Sequence, residues 1–119
     1  MKHSAEYYIE HLEMEPHVEG GYFKECLLEK EERNLWSSIY FMLAKGEVSH
    51  FHRLKSDEVW YYHDGNALTI YMIDEAGKLT AAKLGLDLEK GEVPQVLVPK
   101  GMIFGSAMEE EGFSLVGCM

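Results

Sequence analysis

The feature that most constrains the fold is a succession of short apolar stretches separated by turn-forming residues. These predicted strands cover residues 22–28, 37–43, 48–54, 58–63, 68–73, 78–84, 95–98, 103–108 and 113–118. The segment Asp74-Glu75-Ala76-Gly77 between two of them is typical of a hairpin turn. Short strands with frequent Gly and Pro turns predict an all-β sandwich or barrel.

One helix is predicted before the strands. Ser4 is a typical N-cap, and an apolar helix face follows it at i, i+3, i+4 and i+7 spacing, formed by Ala5, Tyr8, Ile9 and Leu12. Pro16 cannot continue this helix. We therefore predict a helix over about residues 4–13 and a barrel over about residues 20–118, in a single domain of residues 1–119.

Charge and apolar content exclude several classes of partner. The net charge of −10 argues against nucleic acid and anionic membranes, since both bind basic surfaces. The apolar run at residues 38–44 is far shorter than the roughly 20 residues of a membrane span. Because the N-terminus also lacks a signal-peptide pattern, we expect a cytoplasmic protein. The two cysteines, Cys26 and Cys118, form no C-x-x-C pair and are expected to be free thiols.

A pair of chemically active residues stands where two predicted strands meet. Alternate residues of a strand share one face, which groups His50, His52 and Leu54. The next strand groups Glu58, Trp60 and Tyr62 in the same way. An imidazole and a carboxylate inside a barrel can bind a metal or exchange protons, and the spacing leaves both open.

The stretch from Gly46 to Gly65 resembles the first motif of the cupin superfamily, G-x5-H-x-H-x3-4-E-x6-G. In that register His52 is the first histidine and Glu58 the glutamate, whereas Leu54 replaces the second histidine. The segment Pro99-Lys100-Gly101-Met102-Ile103-Phe104 resembles the second motif, P-x-G-x2-H, with Phe104 in place of its histidine. The resemblance implies a double-stranded β-helix, or jelly-roll, barrel in which half of the usual metal ligands are replaced. We therefore expect no metal cofactor.

A closer resemblance extends over nearly the whole chain. The segments that carry it are His17-x-Glu19-Gly20-Gly21-Tyr22-Phe23-x-Glu25, Ser38-Ile39-Tyr40-Phe41-x-Leu43, Phe51-His52-Arg53-x-x-Ser56-Asp57-Glu58-x-Trp60, Val98-Pro99-x-Gly101-x-x-Phe104-Gly105 and Phe113-x-Leu115-Val116-Gly117-Cys118. They resemble a small cupin family labelled predicted sugar epimerases (DUF985), whose members are similar to the epimerases of nucleotide-linked 4-keto deoxysugars. The resemblance implies a homodimer with paired edge strands.

The leading hypothesis from these features is a small-molecule-binding cupin that works as a sugar epimerase or isomerase without a metal. His52 would be the general base, Glu58 would orient its imidazole, and a tyrosine would return the proton on the opposite face. The candidate tyrosines are Tyr22, Tyr40 and Tyr62, and the other candidate ligand-binding residues are Glu25, His50, Trp60, Gln95 and Phe104. With only two arginines, Arg33 and Arg53, a free or singly phosphorylated sugar fits better than a nucleotide sugar.

Two alternatives stay open. The first is a non-catalytic sensor or binding protein for a carbohydrate or another metabolite, with the same pocket. The second is a metal-dependent dioxygenase or isomerase in which His50, His52 and Glu58 hold a divalent metal through a shifted His-x-His register.

Overall fold

The computed structural model describes residues 3–18, 20–30, 34–109 and 111–119, and of residues 27–30 and 34–36 the backbone alone. Glu19 and Arg33, named above, lie outside the described residues. The elements are the helix α1 (Ala5–His11), the strands β1 (Glu15–Pro16), β2 (Tyr22–Lys30), β3 (Asn34–Ala44), β4 (Val48–Arg53), β5 (Glu58–Gly65), β6 (Leu68–Ile73), β7 (Leu79–Leu84), β8 (Glu92–Val93), β9 (Gln95–Val98), β10 (Ile103–Ala107) and β11 (Phe113–Cys118), and a 3-10 turn (Leu88–Lys90).

The strands form two sheets that face each other as a jelly-roll barrel. The six-stranded sheet has the order β1-β2-β3-β11-β5-β9, and the five-stranded sheet has the order β4-β10-β6-β7-β8. Neighbouring strands are antiparallel except for the parallel pair of β7 and β8. The prediction of an all-β jelly-roll barrel with a short N-terminal helix is confirmed.

The main core lies between the two sheets. It is built from inward-facing residues of both, among them Phe41, Trp60, Ile70, Phe104 and Val116. Their alternation with outward-facing residues is the period of two that a half-buried strand requires.

A second, smaller cluster lies under α1. Met42 and Leu115, on the outer face of the six-stranded sheet, pack there against Tyr8 and Ile9 of the helix. The Ser4 hydroxyl accepts a hydrogen bond from the Tyr7 backbone N–H at 3.1 Å, as expected of an N-cap. In the part of the chain that the structure describes, no helix is long and apolar enough to cross a membrane.

A β-bulge between β4 and β10 determines which residues of β4 face inward. His52 pairs with Phe104, but Ser49, rather than His50, pairs with Ser106, so two residues of β4 lie opposite Gly105 alone. A side chain on Gly105 would force the backbone to shift, since a Cβ there would lie 2.8 Å from the Ser49 carbonyl oxygen. The bulge directs both Ser49 and His52 inward and leaves His50 exposed. The prediction that His50 and His52 share a face is therefore wrong.

Candidate functional site

A small pocket opens between the two sheets. Its volume is about 50 Å³, enough for a few water molecules or a small organic group. It is lined by His17, Ile39, Phe41, Ser49, His52, Glu58, Trp60, Phe104 and Cys118. Four of the predicted site residues, His52, Glu58, Trp60 and Phe104, thus lie together at one pocket.

His52 reaches the pocket from β4 with a defined orientation. Its Nδ1 lies 2.9 Å from the backbone carbonyl oxygen of His50. A carbonyl oxygen only accepts hydrogen bonds, so Nδ1 carries the hydrogen and donates it, and in the neutral ring Nε2 keeps its lone pair. The ring packs against Phe104 with a centroid distance of 4.5 Å. In this tautomer Nε2 is the ring nitrogen that can accept a proton.

Glu58 begins β5, in the sheet opposite His52. The Trp60 indole Nε1 donates a hydrogen bond of 2.6 Å to the Glu58 Oε1. Burial raises the pKa of the Glu58 carboxyl, and this effect exceeds the opposing effects of the indole hydrogen bond and of a positive charge on His52. The carboxyl thus keeps its proton to a higher pH than an ordinary glutamate. The partner that orients His52 is the His50 carbonyl, whereas Glu58 is held by Trp60.

The pocket walls are aromatic. Trp60 is buried and stands nearly perpendicular to Phe41, at a centroid distance of 5.8 Å, and to Phe104, at 6.1 Å. These edge-to-face contacts fix the indole that holds Glu58. The Glu58 carboxyl therefore lies in a low-dielectric surrounding, where interactions with charge are stronger than in water.

Five further lining residues were not predicted as site residues: His17, Ile39, Phe41, Ser49 and Cys118. Burial, together with the negative charge of Glu58, raises the pKa of the Cys118 thiol, which therefore stays protonated. Alternation along β3 and β11 could have grouped Ile39, Phe41 and Cys118, because β11 pairs Cys118 with Ile39. No such signal exists for Ser49, which the bulge turns inward.

Six predicted residues lie outside the pocket. Tyr22 and Tyr40 pack in the cluster under α1, since Tyr40 faces the side of β3 opposite to Ile39 and Phe41. The Tyr62 hydroxyl donates to the Gly65 carbonyl oxygen, and burial raises its pKa. Glu25, His50 and Gln95 are exposed. Among the described residues no tyrosine lines the pocket.

The residues at the pocket do not fit a divalent metal. Zinc and similar ions need three or four protein ligands around one point. Within the described ranges no three His, Cys, Asp or Glu side chains lie close enough together to hold an ion. Leu54 packs against the main core and Phe104 is fully buried, so carbon atoms occupy the two remaining ligand positions of the motif.

Comparison with known proteins assigns the fold and the family. The model of the family described as "Cupin superfamily (DUF985)" matches residues 6–119. The chain belongs to this cupin family. No protein of curated function is significantly similar to it.

Several solved structures are similar to the chain. A protein from Shewanella oneidensis is 59% identical, with a TM-score of 0.93, over 98% of this chain and 76% of that one. A hypothetical protein from Leishmania major is 34% identical, with a TM-score of 0.89, over 98% of this chain and 80% of that one. Oxalate decarboxylase of Bacillus subtilis is 20% identical, with a TM-score of 0.62, over 87% of this chain and 26% of that one. This likeness shows a shared fold.

Proposed function

We propose that the protein is a metal-independent isomerase of epimerase type that acts on small hydroxy-carbonyl compounds such as short sugars. The observation that carries the proposal is the pair of His52 and Glu58. They come from opposite sheets into one aromatic pocket, the first with a fixed basic Nε2 and the second with a raised carboxyl pKa. A raised pKa suits a carboxyl group to act as a general acid, because it brings the carboxyl closer to the working pH.

The pair suits the enolisation of a carbon acid. The Nε2 of His52 takes the proton of the carbon next to the carbonyl group, and the C–H electron pair becomes the C=C bond of an enediol. Protonated Glu58 gives its proton to the carbonyl oxygen at the same time. Neutralising the oxygen matters here, because an enolate charge would be poorly solvated between Phe41, Trp60 and Phe104.

The charges of the lining residues narrow the substrate class. No lysine or arginine is among the described residues that line the pocket. A phosphate or nucleotide diphosphate would therefore find no cationic partner of the kind that usually binds it. Together with the volume of about 50 Å³, this favours an uncharged short-chain aldose or ketose over a nucleotide-linked sugar.

Solvent deuterium exchange tests the proposal. The protein is incubated in D2O with D-erythrose and with D-ribulose, and NMR follows deuterium entering the carbon next to the carbonyl group. We expect exchange with the wild-type protein and a loss of about 100-fold or more in His52→Asn, in the range of acid–base contributions. His50→Asn is the matched control, since the His50 side chain is exposed on the same strand and the hydrogen bond to His52 comes from the His50 backbone carbonyl.

The opposite result would favour a binding protein. If wild-type protein binds these sugars saturably, if binding survives His52→Asn, and if no deuterium is incorporated on long incubation, the catalytic proposal is wrong. The pocket would then serve a non-catalytic carbohydrate or metabolite sensor.

The proposal includes a homodimer. β4 lies at one end of the five-stranded sheet, and pairing between subunits is one way in which an end strand is protected. Light scattering at micromolar concentration is expected to give twice the mass of one chain, and a monomeric mass would contradict this part of the proposal.

A further inference from the structure

His17 brings a second imidazole to the pocket. It lies in the tight turn between β1 and β2, where its backbone N–H donates to the Gly21 carbonyl oxygen at 2.9 Å and its own carbonyl accepts from Gly20 at 3.0 Å. The turn packs directly on β4, because a Cβ on Gly20 would overlap the Val48 carbonyl oxygen. These contacts join His17 to Gly20 and Gly21 and place Gly20 directly against β4.

The two imidazoles belong to opposite layers of the pocket. The ring of His17 meets Phe23 edge-on at 4.9 Å and Phe41 at 5.7 Å, and both are residues of the six-stranded sheet. The ring of His52 instead packs against Phe104 of the five-stranded sheet, at 4.5 Å. The two imidazoles thus line one pocket while they pack against aromatic rings of opposite sheets.

We infer that His17 is the proton donor on the face opposite His52, so that the pocket inverts the configuration of a carbon next to a carbonyl group. This inference rests on the proposed function. After His52 has taken the carbon-bound proton, the imidazolium of His17 donates a proton to the same carbon from the other side. The C=C pair forms the new C–H bond, Glu58 takes back the proton of the enediol oxygen, and the carbonyl group forms again.

The step conserves atoms and electrons without a further reactant. One proton leaves the substrate to His52 and one arrives from His17, so the product is the epimer of the substrate. The two imidazoles then return to their starting protonation states by exchange with water. His17 fills the role that the sequence had suggested for a tyrosine, a residue type that does not line the pocket among the described residues.

Separating exchange from inversion tests the inference. The variants His17→Gln and His17→Phe are incubated in D2O with D-erythrose and D-ribulose. NMR measures both deuterium incorporation and the epimers, D-threose and D-xylulose. We expect formation of the epimers to fall about 100-fold or more in both variants, while incorporation stays within about threefold of wild type. His17→Phe keeps an aromatic ring against Phe23 and Phe41, so a loss shared with His17→Gln does not come from packing.

The control is His11→Gln, which removes an exposed histidine of α1 outside the pocket and should leave both rates unchanged. If the His17 variants form the epimers at the wild-type rate, the role assigned to His17 is wrong and the proposed function stands. If wild-type protein exchanges deuterium but forms no epimer, no residue of the pocket donates a proton on the opposite face, and the proposed inversion is wrong. If wild-type protein incorporates no deuterium, the proposed function itself fails.

Discussion

Replacing Trp60 by Phe should destabilise the protein, and more so at high pH than at low pH. The substitution removes the indole N–H that donates to Glu58 at 2.6 Å but keeps an aromatic ring in the core. In the folded protein the pKa of Glu58 is already raised by burial, and the lost hydrogen bond raises it further. A raised carboxyl pKa means that ionisation opposes folding. The stability that protonated Glu58 contributes is therefore lost as the pH rises from the ordinary carboxyl pKa of the unfolded chain through the raised pKa of the folded protein.

The magnitude follows from the two parts of the change. The smaller ring buries less apolar surface, which costs about 1 kcal/mol at any pH. The hydrogen bond to a neutral carboxyl is worth about 1 kcal/mol and that to an ionised one about 2 kcal/mol. We therefore expect Trp60→Phe to lower the free energy of unfolding by about 2 kcal/mol at pH 4 and by about 3 kcal/mol at pH 8.

Urea unfolding followed by circular dichroism at both pH values measures these differences. The control is the same substitution in a Glu58→Gln background, where the loss should be equal at pH 4 and pH 8 because position 58 no longer titrates. Glu58→Gln alone should flatten the pH dependence of wild-type stability over this range. A Trp60→Phe loss that is the same at both pH values, or larger at pH 4, would refute the coupling of Trp60 to the Glu58 carboxyl.

Three further predictions concern the frame around the pocket. Gly105→Ala should cost about 1–3 kcal/mol in urea unfolding, because its Cβ would lie 2.8 Å from the Ser49 carbonyl oxygen; an unchanged midpoint would refute the tight bulge. Ser4→Ala should cost about 1 kcal/mol through loss of the helix N-cap, and no change would show that the cap contributes nothing. At pH 8 a disulfide reagent should modify exposed Cys26 rapidly. Buried Cys118, whose pKa is raised by burial, should react only when the protein unfolds; rapid modification of both thiols would contradict this.

Much of the fold follows from local sequence patterns. The Asp74–Gly77 hairpin is confirmed, with Leu68 opposite Leu84 and Ile73 opposite Leu79, because turn residues and period-two alternation are both readable from the sequence. Within the site, alternation grouped Glu58 with Trp60, and the resemblance to the two cupin motifs pointed to His52, Glu58 and Phe104; all four line the pocket.

The missed residues depend on contacts that the local pattern does not contain. β3 is apolar on both faces because α1 covers its outer side. Alternation therefore groups Ile39 with Phe41 and Tyr40 with Met42, but it does not show which group faces the pocket. Ser49 is turned inward by a bulge that is defined by pairing with a distant strand. His17 lies in a turn, and only its approach to the facing sheet brings it to the pocket.

The metal content of the protein, together with its activity after chelation, tests the central claim most directly. Protein purified without a histidine tag is analysed for Fe, Mn, Ni and Zn and is then dialysed against EDTA before the deuterium-exchange assay. A proton-transfer site built from His52 and Glu58 predicts substoichiometric metal, and exchange that is unchanged by the chelator. Near one equivalent of a single metal, whose removal abolishes exchange and whose return restores it, would contradict the account.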